Sequence, residues 1–139
     1  MSTMIKKINE LGQKDYQRND SEDRALCYRK WLRTVDTDGY YLDVDFIKFR
    51  DGVPCAITEL TRTDSAEEPE TAYLDAIIQR YFGRDRQGEH IERVAMMLEV
   101  PAYLVLFNKE CYWFWVFSFN RREWKYFTRA TYIEFLSKL

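Results

Sequence analysis

Two dense apolar runs, AYLVLF at 102–107 and CYWFWVFSF at 111–119, constrain the fold more than any other feature of this chain. Pro101 precedes the first and the turn Asn108-Lys109-Glu110 separates them, so each is short enough to be a strand rather than a helix. Runs this uniformly apolar are buried on both faces, and the sheet they enter must be covered on both sides. The aromatic stretch Tyr112-Trp113-Phe114-Trp115, with Phe117 and Phe119, could stack bases, but core strand is the better reading.

The elements around these runs are legible from periodicity. Leu26, Tyr28, Trp31, Leu32 and Val35 recur at helical spacing and predict a helix from Asp20 to Val35, capped by Asp20 or Ser21. Ahead of it, Thr3 to Gly12 is a short helix or a frayed arm, since Met4, Ile5, Ile8 and Leu11 make only a narrow stripe. Tyr40 to Phe49 and Val53 to Arg62 are rich in aromatic and β-branched residues and predict two strands. Thr63 to Glu70 is a polar loop, and helices follow from Thr71 to about Phe82 and from Glu89 to Glu99. The end, TRATYIEFLSKL, is a last amphipathic helix capped by Thr128 or Thr131. The expected fold is a single α/β domain with a four-stranded mixed sheet flanked by helices.

A length of 139 residues suits one domain, and 46% hydrophobic residues against 5 Gly and 3 Pro leave ample core and little linker. The formal charge of -2 favours neither nucleic acid nor an anionic membrane in bulk, so any such binding must come from a local patch. Cys27, Cys55 and Cys111 lack metal-ligand spacing, which argues against zinc and for a reducing compartment. The first residues carry no apolar leader, and no stretch reaches about 18 apolar residues. A soluble cytoplasmic protein is expected.

The chemistry concentrates in the hairpin. With Arg50-Asp51-Gly52 as a three-residue loop closed by a G1 bulge, Phe49 faces Val53, Asp45 faces Ile57, Asp43 faces Glu59 and Tyr41 faces Thr61. Asp43, Asp45 and Glu59 then share one sheet face, whereas a two-residue loop would shift the pairing by one and separate them. Three carboxylates on one face repel unless a cation neutralises them, and Mg²⁺ suits them because it takes one or two carboxylates and keeps several waters. One such water can become a nucleophile while the metal stabilises charge on a phosphoryl oxygen.

The stretch DFIKFRDGVPCAITELTR, followed by a helix and LEVPAYLVLF, resembles the PD-(D/E)XK nuclease superfamily, also called restriction-endonuclease-like. That pattern has a leading helix, a strand with an Asp, a hairpin, a strand ending in apolar-Glu-x-Lys, then a helix and a further strand. The resemblance runs from about Asp20 to Phe119 and implies an Mg²⁺- or Mn²⁺-dependent hydrolysis of phosphodiesters in nucleic acid, DNA ahead of RNA. It places Asp45 and Glu59 at the Asp and Glu positions as metal ligands, with Asp43 beside them and the Leu60 carbonyl as a further ligand.

One position departs from the pattern. Thr61 stands where the catalytic Lys would be, and a hydroxyl can hold a water but carries no charge. Losing such a group costs about 10²- to 10³-fold in rate by analogy with removal of a transition-state donor. The following helix offers Gln79, and beside it Arg80, as replacements, with Arg84, Arg86 and His90 less well placed.

His90, the one histidine, is expected on a helix turn at the surface. For phosphate contacts the candidates are Arg80 and Arg84, and Arg122 and Lys125 interleaved with Trp124 and Tyr126, although each lies beside acids that fit an ordinary solvated surface. The alternative reading keeps the scaffold as a catalytically inactive module for nucleic-acid binding or protein assembly. A homo-oligomer would match a symmetric duplex substrate.

Overall fold

The computed structural model describes residues 25–35 and 39–139. The chain divides into two compact units, Met1–Tyr40 and Tyr41–Leu139. In the first, helix α1 spans Leu26–Leu32, and the Thr34 hydroxyl donates to the Trp31 carbonyl at 2.6 Å in the turn that ends it. The expected helix to Val35 therefore stops three residues early. Its expected start at Asp20, and the segment from Thr3 to Gly12, lie outside the described residues.

The second unit is a mixed sheet of five strands in the order β1-β2-β3-β4-β5: β1 Phe46–Arg50, β2 Val53–Thr63, β3 Ala102–Asn108, β4 Trp113–Ser118 and β5 Glu123–Thr128. Only β2 and β3 run parallel. Their crossover carries α2, Thr71–Ile78, a π-helical stretch Gln79–Arg84, and α3, Gln87–Leu98. The fifth strand corrects the expected four. Lys125, Trp124 and Tyr126, expected as part of a phosphate-contacting cluster with Arg122, lie on this strand; it buries Phe127, and an edge strand tolerates its exposed Glu123 and Lys125.

Helix α4, Arg129–Lys138, follows β5 directly, opened by a capping box in which Thr128 and Thr131 each satisfy the other's backbone N–H. Both sheet faces are covered, as the apolar runs require. Ile57, Leu104, Leu106, Trp113 and Phe117 pack under α2 and α3 with Leu74, Ile77, Ile91 and Ala95. Val105, Phe114, Val116 and Phe127 pack under α4 with Tyr132. Among the described residues no helix is long and apolar enough to cross a membrane.

The β1–β2 hairpin differs from expectation twice, and the differences compensate. Its loop is the two residues Asp51 and Gly52, both at positive φ (53° and 80°), with Arg50 opposite Val53 and Phe49 opposite Pro54. Lys48 then faces Ala56, so Cys55 is an extra residue in a bulge beside Pro54, where β2 does not yet pair with β3. The shorter loop moves the register by one residue and the bulge moves it by one more. Phe46 faces Thr58, and continuing that register places Asp45, not Asp43, opposite Glu59. Asp45 and Glu59 keep a common face.

Candidate functional site

The site begins where the β1–β2 ladder stops. The Ile57 N–H donates to the Pro101 carbonyl and the Lys109 N–H to the Thr63 carbonyl, so odd-numbered residues of β2 turn their peptide groups to β3. Thr58, Leu60 and Arg62 turn theirs to the β1 side. Beyond the last β1 pair, the Leu60 N–H finds the Asp45 carboxylate (Oδ2, 2.8 Å) where a further strand would offer a carbonyl. This side-chain substitute ends the ladder, which is why the strand expected from Tyr40 starts only at Phe46.

Glu59 lies beneath, only 4% exposed. Three donors converge on its carboxylate: the Asp45 N–H on Oε2 at 2.7 Å, and the Tyr81 hydroxyl and Gln87 amide on Oε1 at 3.1 and 2.9 Å. The same Gln87 amide reaches the Asp43 carbonyl at 2.6 Å, so α3 grips both the approach to β1 and the acid on β2. Burial pushes the Glu59 carboxyl above its ordinary range and the nearby Asp45 charge adds to this, while the three hydrogen bonds oppose it. Among the described residues, no lysine or arginine pairs with either carboxylate.

Of the residues singled out from sequence, Asp45, Glu59 and Leu60 are brought together. Thr61 is half-buried on the Glu59 face of β2. Asp43 contributes its backbone carbonyl to the Gln87 clasp. Gln79 is exposed at the start of the π-helical stretch, and the polar groups that reach Glu59 from the crossover are Tyr81 and Gln87 instead. Neither was foreseen, because the π-helical stretch shifts the helical phase on which a choice between neighbouring residues depends.

The four cations proposed for phosphate contacts do not form one surface. Arg84 is tied to Asp85 at 2.9 Å, next to Arg80 whose charge also acts on Asp85. Arg122 pairs with Glu92 and lies 4.8 Å over the Phe82 ring, on the α3 side of the sheet. Lys125 lies 5.3 Å over the Phe127 ring, on the α4 side. His90 is half-buried on α3 with Nδ1 2.8 Å from the Arg86 carbonyl, which marks that nitrogen as the protonated one.

Among the described residues there is no group of three or more His, Cys, Asp and Glu side chains placed to share a metal ion. The oxygens that do gather are those of the Asp45 and Glu59 carboxylates, hard donors of the kind Mg²⁺ takes, with the Leu60 N–H bonded to one of them. Two carboxylates are the number that ion commonly takes from a protein, but both Glu59 oxygens and Asp45 Oδ2 already accept hydrogen bonds. Comparison with protein-family models, curated proteins and solved structures finds no match to the chain.

Proposed function

We propose that the chain is a Mg²⁺-dependent nuclease-like protein acting on phosphodiester bonds of nucleic acid, DNA ahead of RNA, through the Asp45–Glu59 edge. The observation that carries the reading is the opposition of Asp45 and Glu59 with the Leu60 peptide group beside them. The succession of strand, hairpin, strand, helices and parallel strand supports it, since it follows the restriction-endonuclease-like pattern from Phe46 to Asn108. Asp45, Glu59 and the Leu60 carbonyl would hold the ion. When bound, it supplies an activated water and charge stabilisation at a phosphoryl oxygen. Tyr81 and Gln87 fix the orientation of Glu59, the exposed Asp45 carboxylate would meet the ion from the solvent side, and the Thr61 hydroxyl would hold a water.

A second reading, a catalytically inactive module of the same layout for nucleic-acid binding or protein assembly, is favoured by the Glu59 environment. Three donors already occupy that carboxylate, and Thr61 brings no positive charge. One experiment separates the two: cleavage of single-stranded, duplex and branched DNA and RNA with Mg²⁺ or Mn²⁺ by wild type, Glu59→Gln and Thr61→Lys. Metal-dependent cutting by wild type that Glu59→Gln abolishes supports the nuclease. Cutting by Thr61→Lys alone supports the inactive module on an intact scaffold, and no cutting by any of the three overturns the nuclease reading.

A further inference from the structure

On the sheet face opposite Glu59, a cleft of about 210 Å³ opens beside α4. Its floor is Val116 and Ser118 of β4, two small side chains between larger ones: Tyr103 is paired with Ser118 from β3, and Lys125 with Val116 from β5. Phe135 of α4 closes the end, its ring 5.1 Å from those of both Tyr103 and Phe127. The rim is charged. The Arg121 N–H donates to the Ser118 hydroxyl at 3.3 Å, and the Arg121 charge eases the Tyr103 phenol back from the raised pKa that burial imposes. The Lys125 ammonium lies over the Phe127 ring, and Glu123 is the one acid in the lining.

We propose that this cleft binds a nucleotide, its base against the aromatic walls and its phosphate between Arg121 and Lys125. The lining selects for each part. Two cations against one carboxylate favour an anion, and converging aromatic rings favour a flat partner. The cleft is small and admits a single base, with the phosphate left at its charged rim. Glu123 and the Ser118 hydroxyl are polar partners for the ring edge. A free mononucleotide and an unpaired nucleotide within a strand offer the same chemistry. The site stands on the other face from Asp45 and Glu59, so it does not depend on the nuclease reading.

The test is titration of the full chain with CMP, UMP, cytidine and an oligo-dT, followed through the Tyr103 and Phe135 resonances. Saturable binding of CMP or UMP, weakened roughly tenfold or more for cytidine and for Arg121→Ala/Lys125→Ala, is expected. Ser118→Leu should abolish binding by filling the floor, and Glu59→Gln should leave it unchanged. Tighter binding of the oligomer would assign the cleft to a strand, and equal binding to the free nucleotide. No saturable shift at millimolar nucleotide, or undiminished binding by the Arg121/Lys125 variant, would overturn the proposal even if Ser118→Leu failed to fold.

Discussion

Asp45 and Glu59 grip each other across the end of a β-ladder: the Asp45 backbone N–H donates to Glu59, and the Asp45 carboxylate accepts the N–H of Leu60, the next residue along. Neither bond belongs to regular sheet pairing, and together they end β1. Glu59→Ala would remove the acceptor of three hydrogen bonds at once, from the Asp45 N–H, the Tyr81 hydroxyl and the Gln87 amide, the last of which keeps its bond to the Asp43 carbonyl. At about 1–3 kcal/mol for a buried group left unpaired, partly relieved by entering water, a loss of about 3 kcal/mol is expected in urea unfolding. Glu59→Gln keeps the shape and one acceptor and should cost about half as much.

The raised Glu59 carboxyl makes stability depend on pH in a defined direction. Its pKa in the folded protein lies above the ordinary 4.5, so the folded state binds the proton more tightly than the unfolded chain. The resulting stabilisation is complete below about 4.5 and is lost as pH rises through the folded value. Wild type should therefore gain on Glu59→Gln during acidification across that window, by at most about 1.4 kcal/mol per pH unit. Urea midpoints of both proteins from pH 7 to 4 measure this, and a wild-type margin that shrinks on acidification would contradict it.

Gly88 is required by the ring beside it. A Cβ there would meet the Phe82 ring at 2.5 Å, and Phe82 is itself wedged against Phe117, Phe119 and Arg122. Gly88→Ala should destabilise by about 1–3 kcal/mol despite the better helix propensity of alanine. Pairing it with Phe82→Leu should recover part of that loss, and a double-mutant cycle by thermal unfolding gives the coupling directly. Strictly additive effects would mean the ring is not the obstacle.

Lys48 and Arg50 point from β1 to the end of α4, donating to the carbonyls of Leu136 at 2.6 Å and Ser137 at 2.8 Å. Cations there satisfy unpaired carbonyls and the negative end of the helix. Lys48→Met should cost about 1 kcal/mol and loosen the last turn of α4. Hydrogen exchange should accelerate near Leu136 to Leu139 and stay unchanged at Tyr132.

What could be read from sequence follows from what periodicity encodes. The buried character of 102–107 and 113–118, the crossover helices and the Thr128 cap all rest on local pattern, and the structure has them. Asp45 and Glu59 were recoverable as a pair because alternation assigned both to one face. Their register was not, because loop length and bulge each change it by one and composition cannot count the two separately. Tyr81 and Gln87 stayed hidden because the π-helical stretch breaks the 3.6-residue phase between α2 and α3. The fifth strand was masked by Lys125 and Glu123, charges that an edge strand can carry.

The extra residue at Cys55 gives the hairpin something like a reading frame. A single insertion or deletion between Asp51 and Ala56 would shift the β1–β2 pairing by one residue and, with β2 held in place by β3, turn the side chains of β1 to the opposite face and take Asp45 away from Glu59. A second change of one residue restores the frame. Length changes in this hairpin should therefore survive only in compensating pairs, a longer loop with the bulge removed or a shorter one with a bulge added, and substitution at Cys55 should be tolerated far better than its deletion.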